Sequence, residues 1–271
     1  MGQVVHTLPE GPAVYGVTSL GDEVFVLRYK ERDQVEVYDV ITYRLVRRIT
    51  IANAIGFVDM TSCEHYYCVY ISDHVVRCIH RVDKQSAATR WAVDDEPTSL
   101  FVNSAHNVLV TCRVVRKIKE FSSHGDLLRE MTLPNDVRNP WHSLQLATGQ
   151  FIVSHGDVDD AVHRVCTVSA DGREIVHSHG GQPGADSGQY NVPRHLAIDD
   201  NESVFVVDII NRRVTLLSPT LHYVRHIVWS SRLRGNPRRF CLDIQRRRLY
   251  VTDNEWHNRR YRVGRVVVFS V

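Results

Sequence analysis

The residues with the greatest capacity for chemistry in this chain are arginines. Residues 190–271 carry 15 arginines, no lysine and 7 acidic residues, whereas residues 1–189 carry 18 Lys+Arg against 24 Asp+Glu. A guanidinium presents a planar fork that takes two phosphate or carboxylate oxygens at once. Two stretches concentrate it: Arg232, Arg234, Arg238 and Arg239, then Arg259, Arg260 and Arg262, with Trp256 and Tyr261 close by. Arg212 stands at an earlier turn. Aromatic rings among cations offer stacking surfaces for unpaired bases while arginines hold phosphates. The same set also fits an acidic protein surface. These residues form the candidate ligand-binding set, weighed against the plainer reading of charge scattered over solvated loops. Arg246, Arg247 and Arg248 fall in a different turn and read as solvated surface. Asp157, Asp159, Asp160 and Asp186 give an acidic counterpart.

Other chemistries are poorly supplied. The six cysteines, Cys63, Cys68, Cys78, Cys112, Cys166 and Cys241, make no Cys-x-x-Cys pair. The N-terminus shows no basic region followed by an apolar run. Free thiols in a reducing compartment, and hence a cytoplasmic protein, are expected. There is no phosphate-cradling glycine loop, no Gly-x-Ser-x-Gly elbow and no His-Glu-x-x-His pair. We therefore expect a non-enzymatic protein without cofactor or metal.

The elements that would position the arginines recur along the chain. Short strands of one cast begin at Gln34, Arg77, Lys117, Arg164, Arg213 and Arg265, spaced 43, 40, 47, 49 and 52 residues apart. Each follows a nearly continuous apolar run, such as residues 23–27 or 203–207, of the kind found in strands covered on both faces. A more polar outer strand follows, as at residues 43–49 and 126–131. A repeat of about 45 residues built only from strands predicts a β-propeller. The expectation is all-β: a single domain over residues 1–271, with six blades of four antiparallel strands. The sixth repeat stops after three strands. The orphan segment at residues 3–8 is expected to complete it, with residues 4–7 against 266–269, because sheets cover their edges. No run approaches the 18 apolar residues of a membrane span.

Within the fifth repeat, the string Val192, Pro193, then Asp199, then Asp208, then Asn211, Arg213 and Val214 resembles an NHL repeat. That family's pattern runs Pro, apolar strand, Asp, second strand ending in Asp, then Asn-x-Arg-Val. The Gly-rich linker 180–193 resembles the family's inter-repeat link. The likeness is strong over residues 180–218, moderate over 140–271 and only periodic before that. It implies a propeller of the kind found at the C-terminus of tripartite-motif proteins, binding partner proteins or RNA. A protein partner is expected first, through a monomeric domain that recognises substrate in a ubiquitin-ligase-type protein. RNA on the arginine-rich sector is the alternative, held second by a pI near 8.2. Asp208, Asn211 and Arg213 are expected to hold a turn together.

A remoter likeness is to the zinc-dependent peptide-amidating lyase, whose related propeller binds its metal through histidines near inner strands. His142 and His195 invite the comparison. Aligning their strands on Leu144 and Leu196 sends the two rings to opposite faces. The other repeats offer no histidine at the matching place apart from these two, and catalytic zinc takes three protein ligands.

Overall fold

The computed structural model describes residues 2–28, 33–257 and 261–271. The chain forms six antiparallel sheets, the blades of a six-bladed β-propeller. Among the described residues the only helical element is a single 3-10 turn, Ser230–Arg232. No helix is long and apolar enough to cross a membrane. The second strand of each sheet is the most apolar and the most buried. Val108–Cys112, Phe151–His155 and Val204–Asp208 are buried at every position, whereas the outer strand Leu127–Thr132 is exposed at all but one. Continuous apolar sequence therefore lies where both faces are covered. Five of the six marker strands fall within a residue of their expected starts, as Gln34–Asp39, Cys78–Asp83, Lys117–Phe121, His163–Val168 and Arg213–Leu217, while the sixth begins earlier, at Tyr261.

The chain divides into two compact units, Met1–Pro97 with Ser231–Val271, and Thr98–Ser230. The first holds the first, second and sixth blades. One of its cores joins Leu27, Val37 and Ile71, and another joins Leu8, Val26, Tyr250 and Val268. The N-terminal strand completes the sixth blade as expected: Val4 pairs Phe269, His6 pairs Val268 and Thr7 pairs Val267. Gly11–Pro12 adds a short second segment against Gly264 and Val263. The return of the chain is fixed by buried Arg28, which donates to the carbonyls of Pro9 (2.8 Å), Pro12 (3.0 Å) and Gly264 (3.2 Å). Gly264 is required here, because a Cβ would lie 2.6 Å from the Val14 nitrogen and 2.4 Å from Asn254 Oδ1.

One expectation changes in this unit. Residues 254–262 read as a loop, but the flanking strands run on as Arg248–His257 and Tyr261–Ser270, pairing Asn254 with Gly264 and Trp256 with Arg262. Asn254 is engaged at the base of this extension: its side chain accepts from Val14 N–H at 2.7 Å and donates to Val14 O at 2.9 Å, acting as a strand partner.

The second unit holds the third, fourth and fifth blades. Its cores are built from Leu144, Ile152, Leu196 and Val206, and from Leu109, Phe151, Val153 and Cys166.

Candidate binding face

In an up-and-down blade, the turn from second to third strand and the crossing to the next blade leave on one side of the sheet. In five of the six blades the second strand carries a polar junction that anchors this side. In the fifth blade, Asp208 accepts from Asn191 N–H (2.8 Å), Asn211 Nδ2 (2.7 Å) and Arg213 Nε (2.8 Å). Arg213 reaches further, to the carbonyls of Ala185 (2.7 Å) and Gln189 (2.6 Å), and so stitches down the Gly-rich linker. Buried charges are tolerated when they are paired in this way. The NHL-like residues thus hold a turn together.

The sixth blade repeats the arrangement with Asp253, which accepts from Arg234 N–H (3.0 Å), Gly235 N–H (2.7 Å) and Arg265 Nε (2.9 Å). In the second blade Asp73 takes the amides of Ile55, Gly56, Val75 and Val76. Although burial opposes ionisation there, His80 and these amides hold the carboxyl well below the usual range. The first blade inverts the polarity: Arg28 ends the strand, and Glu36 accepts from it at 2.7 Å. The fourth blade uses His155, whose Nε2 accepts from Arg164 Nε at 2.9 Å. Burial first, and then the Arg164 guanidinium, push the imidazole down to about 4. The acceptor role of Nε2 fixes a neutral ring with its proton on Nδ1.

Most of the candidate arginines that can be described in the first unit are engaged within the protein. Arg239 is 2% exposed and ion-paired with Asp59 at 2.9 Å. Arg238 stacks over the Tyr15 ring, 4.6 Å from its centroid. Arg234 is exposed but pairs with Glu10 at 2.7 Å. Arg232 is exposed on the 3-10 turn. In the second unit Arg212 is exposed, at a left-handed turn position with φ 51°. Arg259 and Arg260, and the side chains of Trp256, Tyr261 and Arg262, lie outside the described residues.

The turn tips carry a different chemistry. In the second unit, successive second-to-third-strand turns expose Val114 (75%), Val158 (65%) and Ile210 (44%), as the second blade of the first unit exposes Val75 (53%). The turns are tight. Arg116 N–H bonds to Arg113 O at 3.2 Å and Arg212 N–H to Ile209 O at 3.0 Å, so the residue at the tip must point outward. Val162 and Trp229 are exposed in the second unit. Two of these loops meet at Trp141, 6% exposed, with the guanidinium carbons of Arg113 and Arg194 at 3.8 and 3.5 Å from its ring centroid. Two planar groups so close to one centroid must occupy opposite faces of the indole. Trp141 Nε1 donates to Gly156 O at 3.2 Å, and Arg113 ion-pairs with Asp157, so two loops share one rigid floor. Sequence reasoning passed over these valines and the isoleucine. The available signal was an aliphatic residue two or three places after a strand end, where turn residues are ordinarily polar.

The two histidines also differ from expectation. Their ring centroids are 4.2 Å apart, with planes at 55°, and both side chains are buried. They do leave their strands in opposed directions in the simple alignment. Stacked sheets, however, turn opposite faces toward one another, so opposed facing at one height brings neighbouring blades' side chains together. Bulges between Pro140 and His142, and between Pro193 and Leu196, adjust the register.

No protein-family model and no curated protein matches the sequence. The fold is shared widely among solved structures. Virginiamycin B lyase from Staphylococcus aureus is similar at 13% identity and a TM-score of 0.64, over 97% of this chain and 88% of that one. The PQQ-bound aldose sugar dehydrogenase of Streptomyces coelicolor gives 11% and 0.69, over 99% and 98% of the two chains. The Cps50 (Swd1) β-propeller domain of Myceliophteria thermophila gives 10% and 0.65, over 100% of both. At such identities the likeness speaks for the propeller fold alone, which hosts unrelated activities.

Proposed function

We propose that this chain is a non-enzymatic, NHL-type binding platform whose loop face takes a partner protein. It would serve as the substrate-recognition part of a cytoplasmic tripartite-motif, ubiquitin-ligase-type protein. One observation carries the protein-binding reading: three successive turns of the second unit expose Val114, Val158 and Ile210, the first two in loops fixed to Trp141. Aliphatic side chains left exposed on successive loop tips fit protein recognition. The exposed charges around them, Asp136, Asp159 and Asp186 against Arg138 and Arg212, nearly cancel. A surface that follows phosphates needs an excess of cations. The NHL resemblance of residues 180–218 supports the family assignment, and the junction geometry at Asp208 fits the pattern.

RNA binding is the second reading, favoured by exposed Arg212 and Arg232 and by the arginines of residues 259–262. Enzymes share this fold, and the contact between His142 and His195 removes any argument from their facing. The non-enzymatic reading rests instead on the apolar character of the loop tips. A photoactivatable amino acid at position 158 tests it directly in cells. Adducts to one or a few discrete proteins are expected. Adducts to nucleic acid, or none above those formed from an outer-strand position such as 128, would overturn the reading.

A further inference from the structure

Cys63 and Cys68 are paired directly across the hairpin of the second blade's first two strands, Phe57–Cys63 and Cys68–Asp73. Residues opposed in an antiparallel pair have Cα atoms about 4.5–5.5 Å apart with side chains on one face, inside the window of about 4.4–6.8 Å that a disulfide needs. No other cysteine among the described residues has a cysteine as its register partner. Cys78 faces Asp73 and Ala92, Cys112 faces Lys117, Cys166 faces Val153 and Ser178, and Cys241 faces Tyr250. All six thiols are free.

We propose that the Cys63–Cys68 pair is a redox-sensitive site that closes a cross-strand disulfide when peroxide reaches it. The pair is buried but lies immediately beneath an exposed turn, Glu64, His65 and Tyr66, closed by one Tyr67 N–H to Glu64 O bond of 3.3 Å. Fraying of that turn uncovers both sulfurs without unfolding the blade, since local openings are far cheaper than global ones. Burial pushes the Cys68 thiol up, while the neighbouring Tyr70 hydroxyl and Arg81 guanidinium pull it back. The thiolate of one of the two sulfurs attacks one peroxide oxygen, the O–O bond breaks, and the displaced hydroxide takes a proton to leave as water. The other sulfur then attacks the resulting sulfenic sulfur as its own proton is lost, forming S–S and expelling the second water. Both electrons go to the peroxide, and the protein loses two hydrogen atoms.

The test is mass spectrometry of the full chain treated with hydrogen peroxide under native conditions and then digested without reduction. The expected product is a peptide pair joined through Cys63 and Cys68, with thiols counted after denaturation falling from six to four and restored by dithiothreitol. Neither Cys63→Ala nor Cys68→Ala should yield a dithiothreitol-reducible peptide pair under the same treatment, and the four cysteines outside the pair should keep their thiols in both. Should either variant fail to fold, mapping of the wild-type protein alone still decides. Retention of all six thiols while methionine is oxidised, or a bond joining any other pair, would overturn the proposal.

Discussion

The two units of this molecule differ in degree on the loop side of their blades: the first exposes one described aliphatic tip, Val75, and the second exposes three. In the first, the sequence supplies arginines and the fold uses them. Arg239 is paired with Asp59, Arg238 stacks on Tyr15 and Arg234 reaches Glu10. In the second, the sequence supplies aliphatic turn residues and the fold leaves them out, with Val114, Val158 and Ile210 exposed. A count of charges along the chain measures what is available, while recognition depends on what remains exposed after internal pairing. Loop tips that no core requires are better evidence of a partner than arginines that the core already holds.

The largest expected effect breaks the contrast from the arginine side. If Arg239 serves the interior, Arg239→Ala removes the guanidinium from a buried carboxylate and should cost about 3–5 kcal/mol of stability, read from the urea midpoint. A change within about 0.5 kcal/mol, the scale of surface substitutions, would return Arg239 to the surface set.

The second effect sharpens the contrast at the junctions. The sixth blade's Asp253 and Arg265 form a charged junction, whereas the fourth blade rests on neutral His155 with Arg164. With the His155 pKa near 4 against an ordinary 6.5, the unfolded chain binds the proton more readily than the folded one. Its contribution to stability is present above pH 6.5 and is lost as pH falls toward 4, by about 3 kcal/mol at full extent. His155→Gln should flatten that part of the stability profile. An unchanged acid limb in the variant would place the titrating group elsewhere.

The smallest effect concerns RNA. If Arg212 and Arg232 are only surface charge, a single-stranded oligonucleotide should bind weakly, and the double alanine variant should leave its salt dependence unchanged. A slope reduced by about two units, one for each lost phosphate contact, would support the RNA reading.

Much of the architecture was legible in the sequence because it rests on local rules. Apolar runs marked the buried second strands, turn residues separated them, and a sixth repeat short of one strand pointed to pairing of residues 4–7 with the C-terminal strand. The fifth blade's junction was readable because Asp208, Asn211 and Arg213 lie within six consecutive residues. The inverted junction of Arg28 and Glu36 was hidden, since its polarity is reversed and its carbonyl partners at Pro9, Pro12 and Gly264 include one 236 residues away. The engagement of Arg239 by Asp59 is a contact across 180 residues of sequence, which spacing does not encode. His142 and His195 were misjudged because alternation was applied within single strands without the stacking of one sheet on the next.

The central claim is that the aliphatic loop tips of the second unit, not the arginines, recognise a partner protein. The direct test is quantitative capture by the immobilised wild-type chain, by Val114→Asp with Val158→Asp and Ile210→Asp, and by Arg212→Ala with Arg232→Ala. All three proteins should be equally stable, because every substituted side chain is exposed. The account predicts that the aspartate triple loses its captured protein by roughly tenfold or more, as expected when apolar anchors worth at least about 1.4 kcal/mol together are replaced by charge, while the arginine double retains it. Retention by the triple and loss by the double would contradict it.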